Sequence, residues 1–303
     1  MWVYTHPDCL QHDPGPGHPE SPARLSAVTA ALHQALPRLR WVEAPLATRA
    51  QLARVHTRGL IATVLDTVTT TTLRLDPDTV LSPVSAHAAL RACGAGIAAV
   101  DAVLGARTRQ AFCAVRPPGH HATGTTAMGF CLFNSVAVAA AHALDEHSLL
   151  RVAILDFDVH HGNGTQAIFE NDPRVLYLSS HQRPLYPDSG LESDTGVGNI
   201  VNAPLPPGSD GTVFRAAWRH RLLPALDAFA PQLLLVSAGF DGHRLDPLAD
   251  LQLEADDFRW LSAEIAASAE RHAGGRIVSM LEGGYSLSAL RECSVAHLLG
   301  LGA

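Results

Sequence analysis

The 303-residue sequence predicts a single α/β domain built on a parallel sheet, with helices covering both faces. Three observations predict it: short, wholly apolar runs recur along the chain, segments of helical character separate them, and no repeat or linker interrupts the chain. Strands that are apolar on both faces are typical of parallel sheets buried on both sides. Because a chain of this length can bury one large core, we expect one domain over residues 1–303.

Five apolar segments rich in branched residues are predicted to be the central strands of this sheet. They are AFCAVR (111–116), RVAILDF (151–157), RVLYLSS (174–180), QLLLVSAG (232–239) and RIVSMLEGG (276–284). None of them alternates apolar with polar residues, so neither face is expected to meet solvent.

The segments between these strands are predicted helices or loops. The predicted helices between the strands are 135–147, 211–229 and 254–272. Near the amino end, HPESPARLSAVTAAL predicts a further helix with Ser21 as its N-cap and Pro22 at its first position. Two stretches rich in glycine and proline, 12–20 and 186–199, are predicted loops.

Composition excludes several broad classes of partner. A net charge of −7 provides no general attraction to nucleic acid or to an anionic membrane surface, although basic proteins or polyamines remain suitable substrates. The start MWVYTHPDCL has no secretory pattern, and we expect no run close to the ~20 apolar residues of a membrane helix. Five cysteines without CxxC spacing predict free thiols and therefore a cytoplasmic location.

Polar side chains follow four of the predicted strands at the point where each strand ends. The segments that carry them are PPGHHATG (117–124), DVHHGNG (158–164), FDGHRLDPL (240–248) and, after LEGG, Tyr285. Open α/β sheets form their ligand crevices at the carboxyl ends of their strands. We therefore expect the four segments to build one site.

Asp158 and His160 are the first candidate metal ligands. In an extended segment, residues two apart point to the same side, so both can face one ion while Val159 points into the core. Asp246, ahead of Pro247, can supply a third ligand from another strand end. A single Asp or His at a strand end is more often a cap, but the combined pattern favours ligation. Three protein ligands and an open position are typical of a catalytic metal site.

Four further residues are candidates for proton transfer and polarisation. Asp156 lies two residues before Asp158 on the same side of the strand, where its carboxylate can orient an imidazole or bind a monovalent cation. His120 and His121 lie in a loop rich in glycine and proline, and they are the candidate general base and its electrostatic partner. Tyr285 follows two glycines, and its phenol can donate a hydrogen bond to an oxyanion.

Four motifs in this order resemble those of the zinc-dependent histone deacetylase and acetylpolyamine amidohydrolase superfamily, most closely its class II-like bacterial branch. The motifs are RPPGHHA (116–122), DFDVHHGNGTQ (156–166), SAGFDGHRLDPL (237–248) and LEGGY (281–285). The similarity begins at HPESPARL (18–25) and covers most of the chain. It implies an arginase-like open α/β fold and the hydrolysis of acyl amides.

The resemblance implies two metal sites. One zinc ion per chain would be held by Asp158, His160 and Asp246. A structural potassium ion would be held by Asp156, Asp158, His160 and Ser179, partly through backbone carbonyls. Two carboxylates and one imidazole also suit iron or cobalt, so the identity of the catalytic metal stays open.

The resemblance also implies catalytic roles. His121 would act as general base and then general acid, with His120 as its electrostatic partner and Asp156 paired behind them. Asn163 stands where many family members have a second aspartate, so the backing of His121 is expected to be less acidic here. Tyr285 matches the catalytic tyrosine of the family.

The acyl-lysine tunnel of the family is matched at three positions. Gly129 and Phe130 match one wall, and Tyr186 matches an aromatic that is phenylalanine in many relatives. Asp78 falls where an acidic or hydroxyl residue often anchors the substrate backbone. Leu248 lies where polyamine-selective relatives can carry glutamate, and its apolar side chain favours acyl-lysine or another amide.

The predicted function is therefore zinc-dependent removal of acetyl or other acyl groups from acyl-lysine in proteins or peptides, with release of acetate. Three alternatives stay open: deacetylation of acetylpolyamines by the same catalytic set, an arginase-like two-metal hydrolase, and a non-catalytic acyl-group sensor. Relatives that act on small acetylated amines often pair to narrow the tunnel, so a homo-oligomer also stays open, although the sequence has no recognisable dimer motif.

Overall fold

Eight parallel strands form the central sheet of the computed structural model, which describes residues 1–303. The ten strands of the chain are β1 (Trp2–Thr5), β2 (Arg40–Glu43), β3 (Leu73–Arg74), β4 (Val80–Leu81), β5 (Gln110–Cys113), β6 (Val152–Asp156), β7 (Val175–Gln182), β8 (Ile200–Leu205), β9 (Leu233–Ala238) and β10 (Ile277–Leu281). The sheet has the order β2-β1-β5-β10-β9-β6-β7-β8, and β3 and β4 pair separately as an antiparallel ribbon.

Helices surround the sheet. They are α1 (Asp8–Gln11), α2 (Pro22–Ala35), α3 (Arg49–Leu52), α4 (Arg58–Leu65), α5 (Ser85–Leu104), α6 (Ser135–Asp145), α7 (Asn163–Phe169), α8 (Gly211–Ala217), α9 (Leu223–Phe229), α10 (Ala255–His272) and α11 (Leu287–Leu301). Helices α5 and α6 pack on each other and on the central strands, while α2, α10 and α11 form a second group. The predicted α/β class is confirmed.

Each of the five predicted strands overlaps an observed strand, and together these are the five consecutive strands from β5 to β7 in the sheet. Within the large sheet the predictions missed β1, β2 and β8, and they also missed the short ribbon strands β3 and β4. Both residues at the ends of β2 are exposed, and β2 and β8 are the two edges of the sheet. Strand β8 also contains Asn202 and Pro204, and proline is tolerated mainly at such edges. Edge strands therefore lack the apolar signal that marks buried ones.

The predicted helices are present, with two corrections of detail. The segment 211–229 is not one regular helix, because a π-helical turn at Trp218–Leu222 joins α8 to α9. Helix α2 begins at Pro22 as predicted, but the Ser21 side chain makes no capping hydrogen bond.

Helix α5 corrects the expectation about long apolar segments. Its 20 residues are long and apolar enough to cross a membrane by length and composition, and 67% of the most apolar 18-residue stretch is buried inside the fold. A buried core helix passes the same test. Its packing on α6 and on strands β1, β5 and β10 accounts for its composition.

Candidate active site

The four polar segments meet because the strands that precede them, β5, β10, β9 and β6, are neighbours at the centre of the sheet. Their parallel pairing brings their carboxyl ends to one edge. A cavity of about 230 Å³ opens there, and all five predicted substrate-binding residues line it together with both predicted reaction partners, His121 and Tyr285. The lining residues are Asp78, His121, Gly129, Phe130, His160, Leu185, Tyr186, Leu248 and Tyr285.

Asp158, His160 and Asp241 bring their ligand atoms within 4.8 Å of one another. The Nδ1 of His160 lies 3.1 Å from Asp158 Oδ1 and 3.2 Å from Asp241 Oδ2. Asp241 Oδ2 is buried and accepts no aligned hydrogen bond. A buried carboxylate oxygen without a partner is costly unless a cation neutralises it, so this donor set fits a divalent metal ion.

Asp246, the predicted third ligand, is not among these three residues, and its role as a ligand stays a prediction. One oxygen of Asp246 accepts the backbone N–H groups of Tyr285 at 2.7 Å and Ser286 at 3.3 Å, and the other accepts that of Leu248 at 3.1 Å. Its carboxylate is therefore used to hold the loop that carries Tyr285. Asp241 received no role from the sequence, although it lies only three residues past the end of β9, much as Asp158 lies two past the end of β6.

Two glycines let the backbone approach the paired carboxylates. A Cβ atom at Gly239 would clash with the Asp158 carboxylate, and one at Gly283 would clash with the carboxylates of both Asp241 and Asp158. The Gly283 N–H donates to Asp158 Oδ2 at 2.8 Å. The ends of β9 and β10 therefore enclose the carboxylates so closely that any side chain there would displace them.

The histidine pair has two different partners behind it. His120 Nδ1 lies 3.0 Å from Asp156 Oδ2, and the Tyr177 hydroxyl donates to the same oxygen at 3.0 Å. His121 Nδ1 lies 2.8 Å from Asn163 Oδ1, so His121 has the neutral backing expected from the sequence. Because a carbonyl oxygen only accepts, His121 carries its proton on Nδ1 and keeps a lone pair on Nε2.

The surroundings of the two imidazoles push their pKa values in opposite directions. Burial lowers the pKa of His121 well below its ordinary value, and the neighbouring His120 and His160 lower it further. Against the effect of burial, the carboxylates of Asp158 and Asp156 raise the pKa of His120 to about 10. His121 is thus a neutral base beside a positively charged neighbour.

Tyr285 is held from both sides at the floor of the cavity. Its backbone N–H donates to Asp246, and its ring stacks edge-on against Phe130 with centroids 5.8 Å apart. The guanidinium of Arg24 lies 4.8 Å from the centre of the ring and donates to Gly284 O at 2.6 Å. Burial raises the pKa of the Tyr285 phenol well above its ordinary value, so it remains a hydrogen-bond donor at neutral pH.

The walls of the cavity are aromatic. Gly129 and Phe130 both have positive φ, 57° and 67°, and a Cβ atom at position 129 would press on the His121 ring. The Phe130 N–H donates to Thr79 Oγ1 at 3.0 Å, which fixes this strained turn. Tyr186 lies 39% exposed at the mouth, with its ring nearly perpendicular to that of His121.

Asp156 and Ser179, two of the predicted potassium ligands, are brought together as register partners in β6 and β7. His181 Nε2 lies 2.9 Å from Gly190 O, so it carries the proton and Nδ1 accepts from the Ser179 hydroxyl at 2.9 Å. The lone pairs of the Ser179 oxygen are left free. The donor chemistry at this position is therefore compatible with a monovalent cation.

A buried ion network, which has no counterpart among the residues predicted from sequence, lies behind the site. Arg116 binds both oxygens of Glu20 at 2.6 Å, and Arg24 binds the same carboxylate at 3.0 Å. All three side chains are buried. The sequence signal for this network was the pair of opposite charges, Glu20 and Arg24, in the HPESPARL segment. The network joins the amino end of α2 to the loop that leads to the histidine pair.

Comparisons with known proteins agree with this geometry. The model of the histone deacetylase domain family matches residues 18–301. The histone deacetylase-like amidohydrolase of Pseudomonas aeruginosa is 41% identical over 287 residues, covering 92% of this chain and 76% of its own. Human polyamine deacetylase HDAC10 is 42% identical over 231 residues, covering 72% and 34%. The crystal structure of the HDA15 HD domain superposes with a TM-score of 0.94 at 34% identity, covering 99% of this chain and 88% of that one.

Proposed function

The chain belongs to the histone deacetylase family, and from this premise we propose that it removes acetyl or related acyl groups from acyl-lysine in proteins or peptides and releases acetate. One observation carries the proposal: three functional side chains line the same cavity of about 230 Å³. They are His121, whose Nε2 keeps a lone pair, the phenol of Tyr285, and His160, a candidate metal ligand. A base, an oxyanion donor and a Lewis-acid site around one cavity are the requirements of amide hydrolysis.

Asp158 and His160 would hold the catalytic metal with a third carboxylate, either Asp246, as the sequence resemblance implies, or its neighbour Asp241, which lies in the cluster described above. We propose that the metal is zinc, although iron or cobalt suit the same donors. When bound, such a metal lowers the pKa of a water molecule and polarises the substrate carbonyl. A potassium ion would occupy the position near Asp156, Asp158, His160 and Ser179, as the free Ser179 lone pairs support.

The side chains of this chain then carry out the remaining work. The lysine stem passes between Phe130 and Tyr186, and the Tyr285 hydroxyl donates to the acyl oxygen, most strongly as negative charge develops there. His121 Nε2 accepts the proton of the attacking water and returns it to the leaving amine. His120, charged and paired with Asp156, disfavours a second positive charge on His121 and so promotes this return.

Acetylpolyamine deacetylation is the second candidate, since a relative named as a polyamine deacetylase matches 72% of this chain. Leu248 in the cavity wall favours acyl-lysine, because it offers no charge to a distant ammonium group. Asp78 is the one acidic side chain of the lining, and its carboxylate can accept hydrogen bonds from a peptide backbone or pair with a cationic amine, so it suits both candidate substrates.

A two-metal hydrolase is disfavoured by what its extra ligand positions do here. His161 Nδ1 lies 2.7 Å from Ser189 Oγ, and its Nε2 lies 2.9 Å from Gln166 Oε1. Asn163 backs His121 instead of binding an ion. Both positions are therefore engaged in hydrogen bonds.

We also propose a cytoplasmic location and one catalytic domain spanning the chain. All five cysteines are free and buried, as expected for a protein of a reducing compartment. The family match over residues 18–301 supports a domain that occupies nearly the whole chain.

Tyr285→Phe tests the proposed function. We expect the variant to lower kcat for an acetyl-lysine peptide by about 100- to 1000-fold, because the main phenol donor to the oxyanion is lost. Amine release from the peptide and from N-acetylated polyamines is measured with zinc-reconstituted protein. Tyr4→Phe, which removes a buried hydroxyl bonded to Ala98 O away from the site, is the control and should keep full activity.

The substrates decide between the two candidates. If only the polyamines react, the polyamine activity replaces the lysine activity; if neither reacts with zinc verified in the protein, the hydrolase proposal is wrong.

Leu248→Glu tests substrate choice. We expect the ratio of kcat/KM for acetylspermidine to that for the acetyl-lysine peptide to rise about tenfold, because a carboxylate at the cavity wall attracts the distal ammonium groups. Solvent screening at the open cavity keeps this effect moderate. Leu248→Gln has the same size without the charge and should leave the ratio near that of the wild type. An equal rise in both variants would show that shape, not charge, selects the substrate.

A further inference from the structure

Glu282 is a fully buried carboxylate beneath the histidine pair, and the proposed reaction leaves it without a role. Its Oε2 accepts the backbone N–H groups of Gly119 at 2.6 Å and His120 at 3.2 Å. The hydroxyl of Ser237 donates to its Oε1 at 3.2 Å. Gly119 and His120 lie in the loop of the histidine pair and Ser237 lies in β9, so all three donors belong to segments other than the one that carries Glu282.

The place of Glu282 in the chain connects the reacting groups. It directly follows β10, it precedes Gly283, whose N–H holds Asp158, and it lies three residues before Tyr285. Its own carbonyl accepts from Arg24 Nη2 at 2.5 Å. One residue thus joins the loop of the general base to the segment that carries the phenol donor.

The loop it holds is packed against helix α6 on one side and hydrogen-bonded on the other, so the Glu282 contacts complete its support. A Cβ atom at Gly119 would clash with Ser135 at the start of α6, so the backbone lies directly on that helix. On its other side, the His120 carbonyl accepts the Thr165 N–H at 3.1 Å. The Glu282 carboxylate is the partner that satisfies the two N–H groups facing β10.

We propose that Glu282 is a positioning residue for the hydrolysis: by binding the N–H groups of Gly119 and His120, it sets the distance between the His121 base and the Tyr285 donor. This inference rests on the proposed function. It concerns hydrogen-bond geometry, because the oxygen atoms of Glu282 bind two backbone N–H groups and a hydroxyl. The competing explanation is the charge of Glu282 beside the positively charged His120, and the variants below separate the two.

Two conservative variants separate geometry from charge. Glu282→Gln keeps an acceptor oxygen for both N–H groups, and its amide can donate to Ser237 Oγ, which also accepts. Glu282→Asp keeps the charge but withdraws the carboxylate by one methylene, about 1.5 Å. Positioning therefore requires that glutamine works better than aspartate at this site.

The experiment measures kcat, KM and the pH profile of kcat/KM on acetyl-lysine peptide for the zinc-loaded wild type, E282Q, E282D and E282A. We expect kcat of E282Q to stay within about threefold of the wild type. We expect E282D and E282A to lose about 100-fold in kcat with KM little changed, because a misplacement of about 1 Å lowers the rate by roughly that factor. Ser237→Ala, which removes only the donor to Oε1, is the matched control and should remain within about threefold of the wild type.

Two kinetic outcomes would overturn the inference: wild-type kcat in both E282D and E282A, or E282D near the wild type with E282Q as slow as E282A, which would assign the effect to charge. If E282A fails to fold, the pair E282Q and E282D still decides. An inactive wild type would instead count against the proposed function. In that event a crystal structure of E282D with an unshifted backbone at residues 119–121 would overturn the positioning role.

Discussion

Asp241→Asn is expected to abolish metal binding and, with it, hydrolysis. The amide keeps the shape of the side chain but removes the unpaired anionic oxygen that lies 3.2 Å from His160 Nδ1. We expect the zinc content of the reconstituted protein to fall well below one equivalent. We expect kcat to fall about a thousandfold or more, because the loss of the metal removes several kcal/mol of charge stabilisation from the transition state. Elemental analysis and peptide turnover on the same sample measure both.

Asp246→Asn is the matched control for this variant. If Asp241 is the third ligand, Asp246→Asn keeps its zinc, because the Asp246 oxygens then only bind the N–H groups of Tyr285, Ser286 and Leu248. Its kcat should fall about tenfold, as for other outer partners of metal sites, because the loop of Tyr285 is held less firmly. If Asp246→Asn loses the metal and Asp241→Asn retains it, the ligand assignment drawn from the structure is wrong.

His121→Ala is expected to lower kcat by about 100- to 10,000-fold while leaving zinc in place, because it removes the general base and acid but no ligand. The expectation follows from the geometry: Asn163 fixes the proton on Nδ1, burial keeps the ring neutral, and the free Nε2 faces the cavity. Single-turnover hydrolysis of the acetyl-lysine peptide measures the chemical step directly.

Two variants accompany His121→Ala. His33→Ala, on α2 and stacked on Trp41 away from the site, should behave as the wild type. His120→Ala tests the division of labour between the two rings, since His120 is paired with Asp156 and is charged. A His121 variant that keeps most of its kcat, beside a His120 variant that loses it, would reverse the two roles.

The centre of the fold was predictable because its signal is local. Strands β6 and β9 are apolar at nearly every position and buried throughout, so the sequence pattern alone identifies them. The edge strands β2 and β8 escaped prediction because β2 has exposed ends and no buried residue, and β8 contains an asparagine and a proline, which edge strands tolerate. The π-helical turn at Trp218–Leu222 depends on packing and leaves no mark on a helical pattern.

The candidate site was predictable to the extent that its residues stand next to strand ends. Asp158, His160, His121 and Tyr285 lie within a few residues of a strand or its loop, and the structure brings them together. Two aspartates, Asp241 and Asp246, follow β9, and chain position alone does not decide which of them is the third ligand. Glu282 received no role from sequence because an acid between apolar and glycine residues does not reveal its hydrogen-bond partners.

By itself, then, the sequence determined the α/β class, the central strands, and the gathering of histidines, acids and a tyrosine at their carboxyl ends. These follow from hydrophobic patterning and chain order, which are local properties. Only the tertiary structure decided that Asp241 lies beside Asp158 and His160, that Asp246 holds the Tyr285 loop, and that Glu282 binds Gly119, 163 residues away. The physical reason is that ligation and hydrogen bonding depend on distances of a few ångströms between atoms remote in sequence, which strand order and side-chain packing establish together.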